Sequence, residues 1–167
     1  MQWKEFFLHK LFLSLIFLTA PILTYAHKPP IPLLQVGLGV YDIIHNPQNA
    51  LLQLEYRSFI KSCHYIRPLI AMMVTDKASL YFCGGLAGDI FLGKSWVLTP
   101  SFAPGLYFKG KGKDLHFPLE FRSSIELSYI LPNQGRIGGQ FYHISNASLG
   151  RKNPGVEALV FFYGIPL

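Results

Sequence analysis

From Phe117 to Tyr129 apolar and polar positions alternate. Phe117, Leu119, Phe121, Ile125, Leu127 and Tyr129 share one parity, and Glu120, Arg122, Ser124, Glu126 and Ser128 share the other. A strand sends alternate side chains to opposite faces, so this spacing predicts a strand with one greasy face and one polar, charged face. The pattern recurs at Leu52, Leu54 and Tyr56 against Gln53, Glu55 and Arg57, and at Leu80, Phe82, Leu86 and Ile90 against Ser79, Tyr81 and Asp89. Leu34, Val36, Leu38 and Val40 form a similar row. Eight segments emerge, at 33–45, 49–60, 64–74, 78–92, 95–108, 116–130, 135–146 and 155–166. Strands of about ten residues separated by turn residues are the mark of an outer-membrane barrel, whereas sandwich strands run to about five or six. The expected fold is therefore all-β, an eight-stranded antiparallel transmembrane β-barrel. Its inward set includes Glu55, Arg57, Asp89, Glu120, Arg122 and Glu126, with opposite signs mixed so that they can pair.

Loop lengths give the orientation. Both termini of a bacterial barrel lie in the periplasm, where turns are short. The short connections around Ile60–Cys63, Gly93-Lys94 and Pro132–Gly135 then turn on the periplasmic side. His45–Gln48, Thr75–Lys77, Lys109–Asp114 and Ala147–Pro154 face outward. Tyr41, Trp96, Tyr107, Tyr129, Tyr142 and Tyr163, near strand ends, are expected as interfacial aromatic residues.

The N-terminus changes the compartment. Lys4 and Lys10 precede the apolar run Leu11 to Leu18, and Thr24 and Ala26 flank a small-residue cleavage site. This is the pattern of a secretory signal over residues 1–26, leaving residues 27–167 as one barrel domain. A transmembrane anchor is the competing reading, but the run falls short of the ~20 residues a spanning helix needs. The hydrophobic fraction of 50% is high, and no later stretch is long enough for a spanning helix. A soluble secreted β-barrel holding an apolar ligand is the alternative. The net charge of +6 favours an acidic, phosphate-rich partner, and the outward loops carry Lys109, Lys111, Lys113, Arg151 and Lys152. Cys63 and Cys83 can pair in an oxidising compartment or stand as lone apolar residues. No metal-ligand spacing is present, so neither metal nor cofactor is expected.

One carboxylate breaks the pattern. In the last segment Glu157, Leu159, Phe161, Tyr163 and Ile165 make the bulky, lipid-facing row, and Glu157 heads it. On the preceding segment His143 and Ser145 are two apart and share a face. The hairpin loop centres near Arg151, which brings Ser145 opposite Glu157 to within a residue or so. A serine, a histidine and a carboxylate on one patch can activate a hydroxyl: the imidazole takes the serine proton and the carboxylate orients it. Asn146 can supply an oxyanion donor if a bulge or strand end turns it outward. A surface Ser and His at a strand end, with no chemistry, is the bland alternative.

The stretch Tyr142-His143-Ile144-Ser145-Asn146-Ala147-Ser148, followed by Gly155-Val156-Glu157-Ala158-Leu159, resembles the outer-membrane lipid A 3-O-deacylase (PagL-type) family. The His-x-Ser-Asn order and a Glu twelve residues after the serine both match. The resemblance implies an eight-stranded barrel with Ser145 as nucleophile, His143 as base and Glu157 as its orienter. It implies hydrolysis of the ester-linked 3-hydroxyacyl chain at position 3 of lipid A, and Phe121 is similar to an aromatic position that would touch the acyl chain. The expected partners are lipid A or lipopolysaccharide as substrate and the lipids of the outer membrane, with no nucleic acid and a homodimer left open. A catalytically silent structural barrel is the alternative function. The chain departs from many outer-membrane barrels by ending Ile165-Pro166-Leu167 rather than in an aromatic residue.

Overall fold

A computed structural model describes residues 31–60, 63 and 65–167. The signal expected over residues 1–26 lies outside them. The described residues form nine strand segments and no helix: β1 (Leu33–Tyr41), β2 (Asn49–Arg57), β3 (Ile66–Thr75), β4 (Leu80–Gly88), β5 (Ile90–Leu92), β6 (Trp96–Phe108), β7 (Leu119–Ile130), β8 (Arg136–Ser145) and β9 (Val156–Pro166). Each pairs antiparallel with its neighbour, β1 pairs with β9, and β4 pairs with β6. The sheet closes into a barrel of eight staves, because β5 continues β4 along β6 in the same register.

The expected fourth strand is thus one stave in two pieces. Its pairing lapses opposite Pro104 and Pro100, which have no N–H to give to a ladder. Asp89, at the second gap, turns its carboxylate inward, where it meets Arg136 Nη2 at 2.6 Å, Arg67 Nη1 at 3.3 Å and the Thr99 hydroxyl at 2.9 Å.

The two parities separate as the alternation predicts. Glu55, Arg57, Asp89, Glu120, Arg122 and Glu126 are buried in the lumen, while Leu38, Phe82, Leu86, Ile125, Leu127 and Phe161 are exposed on the outer wall. The lumen charges pair. Arg57 lies 2.6 Å from both Glu55 and Glu126, and Arg122 donates to Glu55 at 2.6 Å. Glu120 is the exception, with no cation paired to it among the described residues. Breaking such a buried pair strands a charge at about 3–5 kcal/mol, so the network holds the staves in one register. Both cysteines are free, and Cys83 is an inward, buried residue.

The aromatic belt is one-sided. Trp96, Tyr129 and Tyr163 are exposed at the end where Ile31 and Leu167 lie, and Trp96 packs edge-on against Tyr129. Tyr41, Tyr107 and Tyr142 are not interfacial, contrary to expectation. Each lies on the inward parity and is buried in the lumen near the opposite end. There the Tyr41 hydroxyl donates to the Tyr107 hydroxyl at 3.0 Å, and Tyr107 donates to Lys113 O at 2.8 Å. These tyrosines tie the wall to the β6–β7 loop that covers this end.

Candidate active site

The ladder between β8 and β9 sets His143 directly opposite Glu157. The side chains meet across it, His143 Nδ1 lying 2.9 Å from Glu157 Oε1. Glu157 is held by its backbone as well as by the ladder. Its carbonyl accepts N–H bonds from Asp42 at 2.8 Å and Ile43 at 3.2 Å, so the β1–β2 loop clamps the start of β9. The carboxylate is 19% exposed and the imidazole 44% exposed, which leaves the ring accessible from the wall.

Ser145 is one step further along the same face, the last residue of β8. It does not oppose Glu157 as loop counting suggested. The turn centres on Gly150, so the offset along the ladder is two residues, and the partner across β8–β9 is His143. Across β7–β8 Ser145 faces Phe121, and His143 faces Ser123. The Ser145 hydroxyl has no hydrogen-bond partner among the described residues. Phe121 stacks on Phe102 with ring centroids 5.9 Å apart, forming an apolar ledge beside the serine.

Asn146 behaves as alternation demands rather than as an outward donor. No bulge intervenes and its side chain is fully buried. Its Nδ2 donates to Leu115 O at 3.2 Å and Lys152 O at 2.8 Å, and its backbone N–H donates to Asn153 Oδ1 at 3.1 Å. Asn146 is the clip that fastens the β6–β7 loop to the β8–β9 loop beneath the serine. The turn that follows, closed by Leu149 N–H on Asn146 O at 2.9 Å, holds Ala147 at φ 51° and Ser148 at φ 64°. Two positive φ values in succession make a type I′ geometry that costs non-glycine residues about 1–2 kcal/mol each. The Ala147 and Ser148 amides have no partner among the described residues.

Gly155 completes the site and was not singled out from sequence. It has φ +61°, and a Cβ there would stand 2.6 Å from His143 Cε1 and 3.2 Å from Nε2. The imidazole rests on the bare backbone of this residue. The Pro154-Gly155 pair is the signal that could have found it, since such a dipeptide marks a turn with a left-handed second residue.

A family model for the lipid A 3-O-deacylase (PagL) matches residues 81–166, a stretch that carries β4 to β9 and every residue of this patch. The chain belongs to the lipid A 3-O-deacylase (PagL) family. That family deacylates lipid A, and this barrel is an outer-membrane one. The fold is similar to a solved structure described as "Crystal structure of the outer membrane enzyme PagL", at 19% identity and a TM-score of 0.61, covering 81% of this chain and 99% of that one. The Yersinia pestis outer membrane protein Ail, solved in a phospholipid bilayer nanodisc, is also matched, at 10% identity and a TM-score of 0.48, over 80% of this chain and 99% of that one. No curated protein matches the chain.

Proposed function

We propose that this barrel hydrolyses the ester-linked 3-hydroxyacyl chain at position 3 of lipid A, with Ser145 as nucleophile, His143 as general base and Glu157 orienting the imidazole. The observation that carries this reading is the 2.9 Å contact between His143 Nδ1 and Glu157 Oε1 on a wall whose outward residues, Ser123 and Ser145 beside it apart, are predominantly apolar. That contact places the proton on Nδ1 and leaves Nε2 with a lone pair. Ser145 Oγ attacks the ester carbonyl, Nε2 takes the hydroxyl proton, and the carboxylate stabilises the imidazolium. Collapse of the tetrahedral intermediate passes that proton to the sugar oxygen, releases the deacylated lipid and leaves the acyl chain on Ser145. Water, deprotonated by the same nitrogen, then frees the fatty acid. With the donors of Asn146 engaged, the free amides of Ala147 and Ser148 are the donors nearest in sequence for the oxyanion. Phe121, opposite Ser145, offers its ring to the acyl chain.

A patch on the outer wall suits this substrate. Lipid A reaches it by lateral diffusion, without crossing the lumen. The test is Ser145→Ala expressed beside the wild type, with lipid A mass recorded for both. Loss of one 3-hydroxyacyl chain with the wild type alone, both barrels keeping heat-modifiable gel mobility, supports the assignment. Lipid A unchanged by the wild type favours the silent structural barrel.

A further inference from the structure

A second feature adjoins the patch without belonging to the triad. A cleft of about 470 Å³ opens between the β6–β7 and β8–β9 loops, lined by His116, Phe117, Leu149, Gly150, Arg151 and Lys152. The unpaired positive charge of its lining points to an anion. Arg151 and Lys152 are exposed and have no acidic partner among the described residues; Lys77 and Lys111 are likewise unpaired but line no cleft with them, whereas Lys109 and Lys113 are neutralised by Asp114 and Asp42 at 2.8 and 2.9 Å. His116 sits at φ 65°, its N–H donating to Asp114 Oδ1 at 2.8 Å and its ring Nδ1 lying 3.7 Å from the same oxygen, so Asp114 orients the ring at the edge of the cleft. The cleft floor is bare: a Cβ on Gly150 would come within 3.2 Å of Phe117 Cβ and 3.3 Å of Asn146 Nδ2.

We propose that this cleft binds a phosphate group on the headgroup of the lipid substrate, with Arg151 and Lys152 as its cationic ligands and His116 as a ring donor. The proposal rests on the lipid A reading above and names the part of that substrate held at this subsite. A guanidinium and an ammonium on adjacent residues suit a phosphate monoester, to which both give charge-assisted hydrogen bonds. The Phe117 ring and Leu149 wall the cleft on its apolar side, where a sugar face can rest. The floor touches Asn146, the clip that follows Ser145, so a headgroup seated here also fastens the strand end that presents the nucleophile.

The test reads binding, not turnover. The full chain carrying Ser145→Ala, in detergent, is titrated with bisphosphorylated lipid A and with the same lipid enzymatically dephosphorylated. The expected result is tighter binding of the phosphorylated lipid by about tenfold or more. Adding Arg151→Gln and Lys152→Gln is expected to abolish that preference. A charge-matched control, Lys77→Gln with Lys111→Gln, alters two exposed lysines outside the cleft and is expected to keep it. Equal losses in both double variants would reduce the effect to net charge and overturn the site, as would a preference that survives in the cleft variant. Displacement of the lipid by equimolar inorganic phosphate would mark a free-phosphate site and overturn the headgroup assignment. Because the serine is absent throughout, a phosphate preference persisting in a chain whose wild type leaves lipid A intact would sink the hydrolase reading and keep the site. A wild type that deacylates both lipids with no preference in binding would do the reverse.

Discussion

Gly155→Ala is the sharpest single perturbation of the patch. The new methyl faces two costs. At φ +61° a Cβ is strained by about 1–2 kcal/mol, and it would stand 2.6 Å from His143 Cε1, where carbons normally rest at about 3.5–4.0 Å. The ring must therefore retreat by about 1 Å. The His143–Glu157 contact is 2.9 Å, so a retreat of that size carries Nδ1 out of hydrogen-bond range. A misplacement of ~1 Å in a catalytic group costs about 100-fold in rate. The fold should survive, because the strain is confined to the last residue of the β8–β9 loop and the clash is with a single side chain, His143. We expect deacylation, followed by mass spectrometry of lipid A over time, to fall about 100-fold or more while heat-modifiable mobility and the urea midpoint in vesicles change little. Gly84→Ala is the control: its Cβ meets nothing closer than 3.7 Å, and its rate should match the wild type. A folded Gly155→Ala barrel that deacylates at the wild-type rate would refute the idea that the imidazole works from its place over Gly155.

Glu157→Gln keeps an oxygen near Nδ1 but cannot balance the imidazolium, so a drop of about 10²–10⁴-fold with an intact barrel is expected in the same mass assay. Asn146→Ala removes the clip on Leu115 O and Lys152 O, and should lower the urea midpoint by an amount worth about 1–3 kcal/mol and cut activity together. Arg57→Met strands Glu126 and half of the Glu55 pairing in the lumen; unfolding in vesicles should show about 3–5 kcal/mol lost, and an unchanged midpoint would mean that lumen water already solvates those carboxylates.

Where sequence reading succeeded, it rested on parity, and where it missed, another rule had displaced parity. The lumen charges, the greasy outer rows and the inward turn of Asn146 all follow from a period of two. Tyr41, Tyr107 and Tyr142 sit on the inward parity of their strands, yet their nearness to strand ends suggested a belt; the ladder decided against position. Register was misjudged because it was counted from the loop. A ten-residue connection can turn about more than one centre, and only the hydrogen-bonded ladder sets His143, not Ser145, against Glu157. The break in the fourth strand was legible in Pro100 and Pro104, but only once their partner strand was known.

The location of the patch follows from the same rule. Going outward along the lipid face, β9 presents Ile165, Tyr163, Phe161 and Leu159 before Glu157, and β8 presents Ile137, Gly139 and Phe141 before His143 and Ser145. On β7 the row Tyr129, Leu127, Ile125 is broken by Ser123, which faces His143. A polar residue facing lipid is costly, least so near the interface, and here the exceptions on three adjacent strands fall together at the end of the wall away from Leu167. Independent substitutions tolerated at the headgroup boundary would scatter around the barrel. Their convergence on one spot, around the His143–Glu157 contact, is the pattern that the proposed chemistry would leave on a surface otherwise suited to lipid.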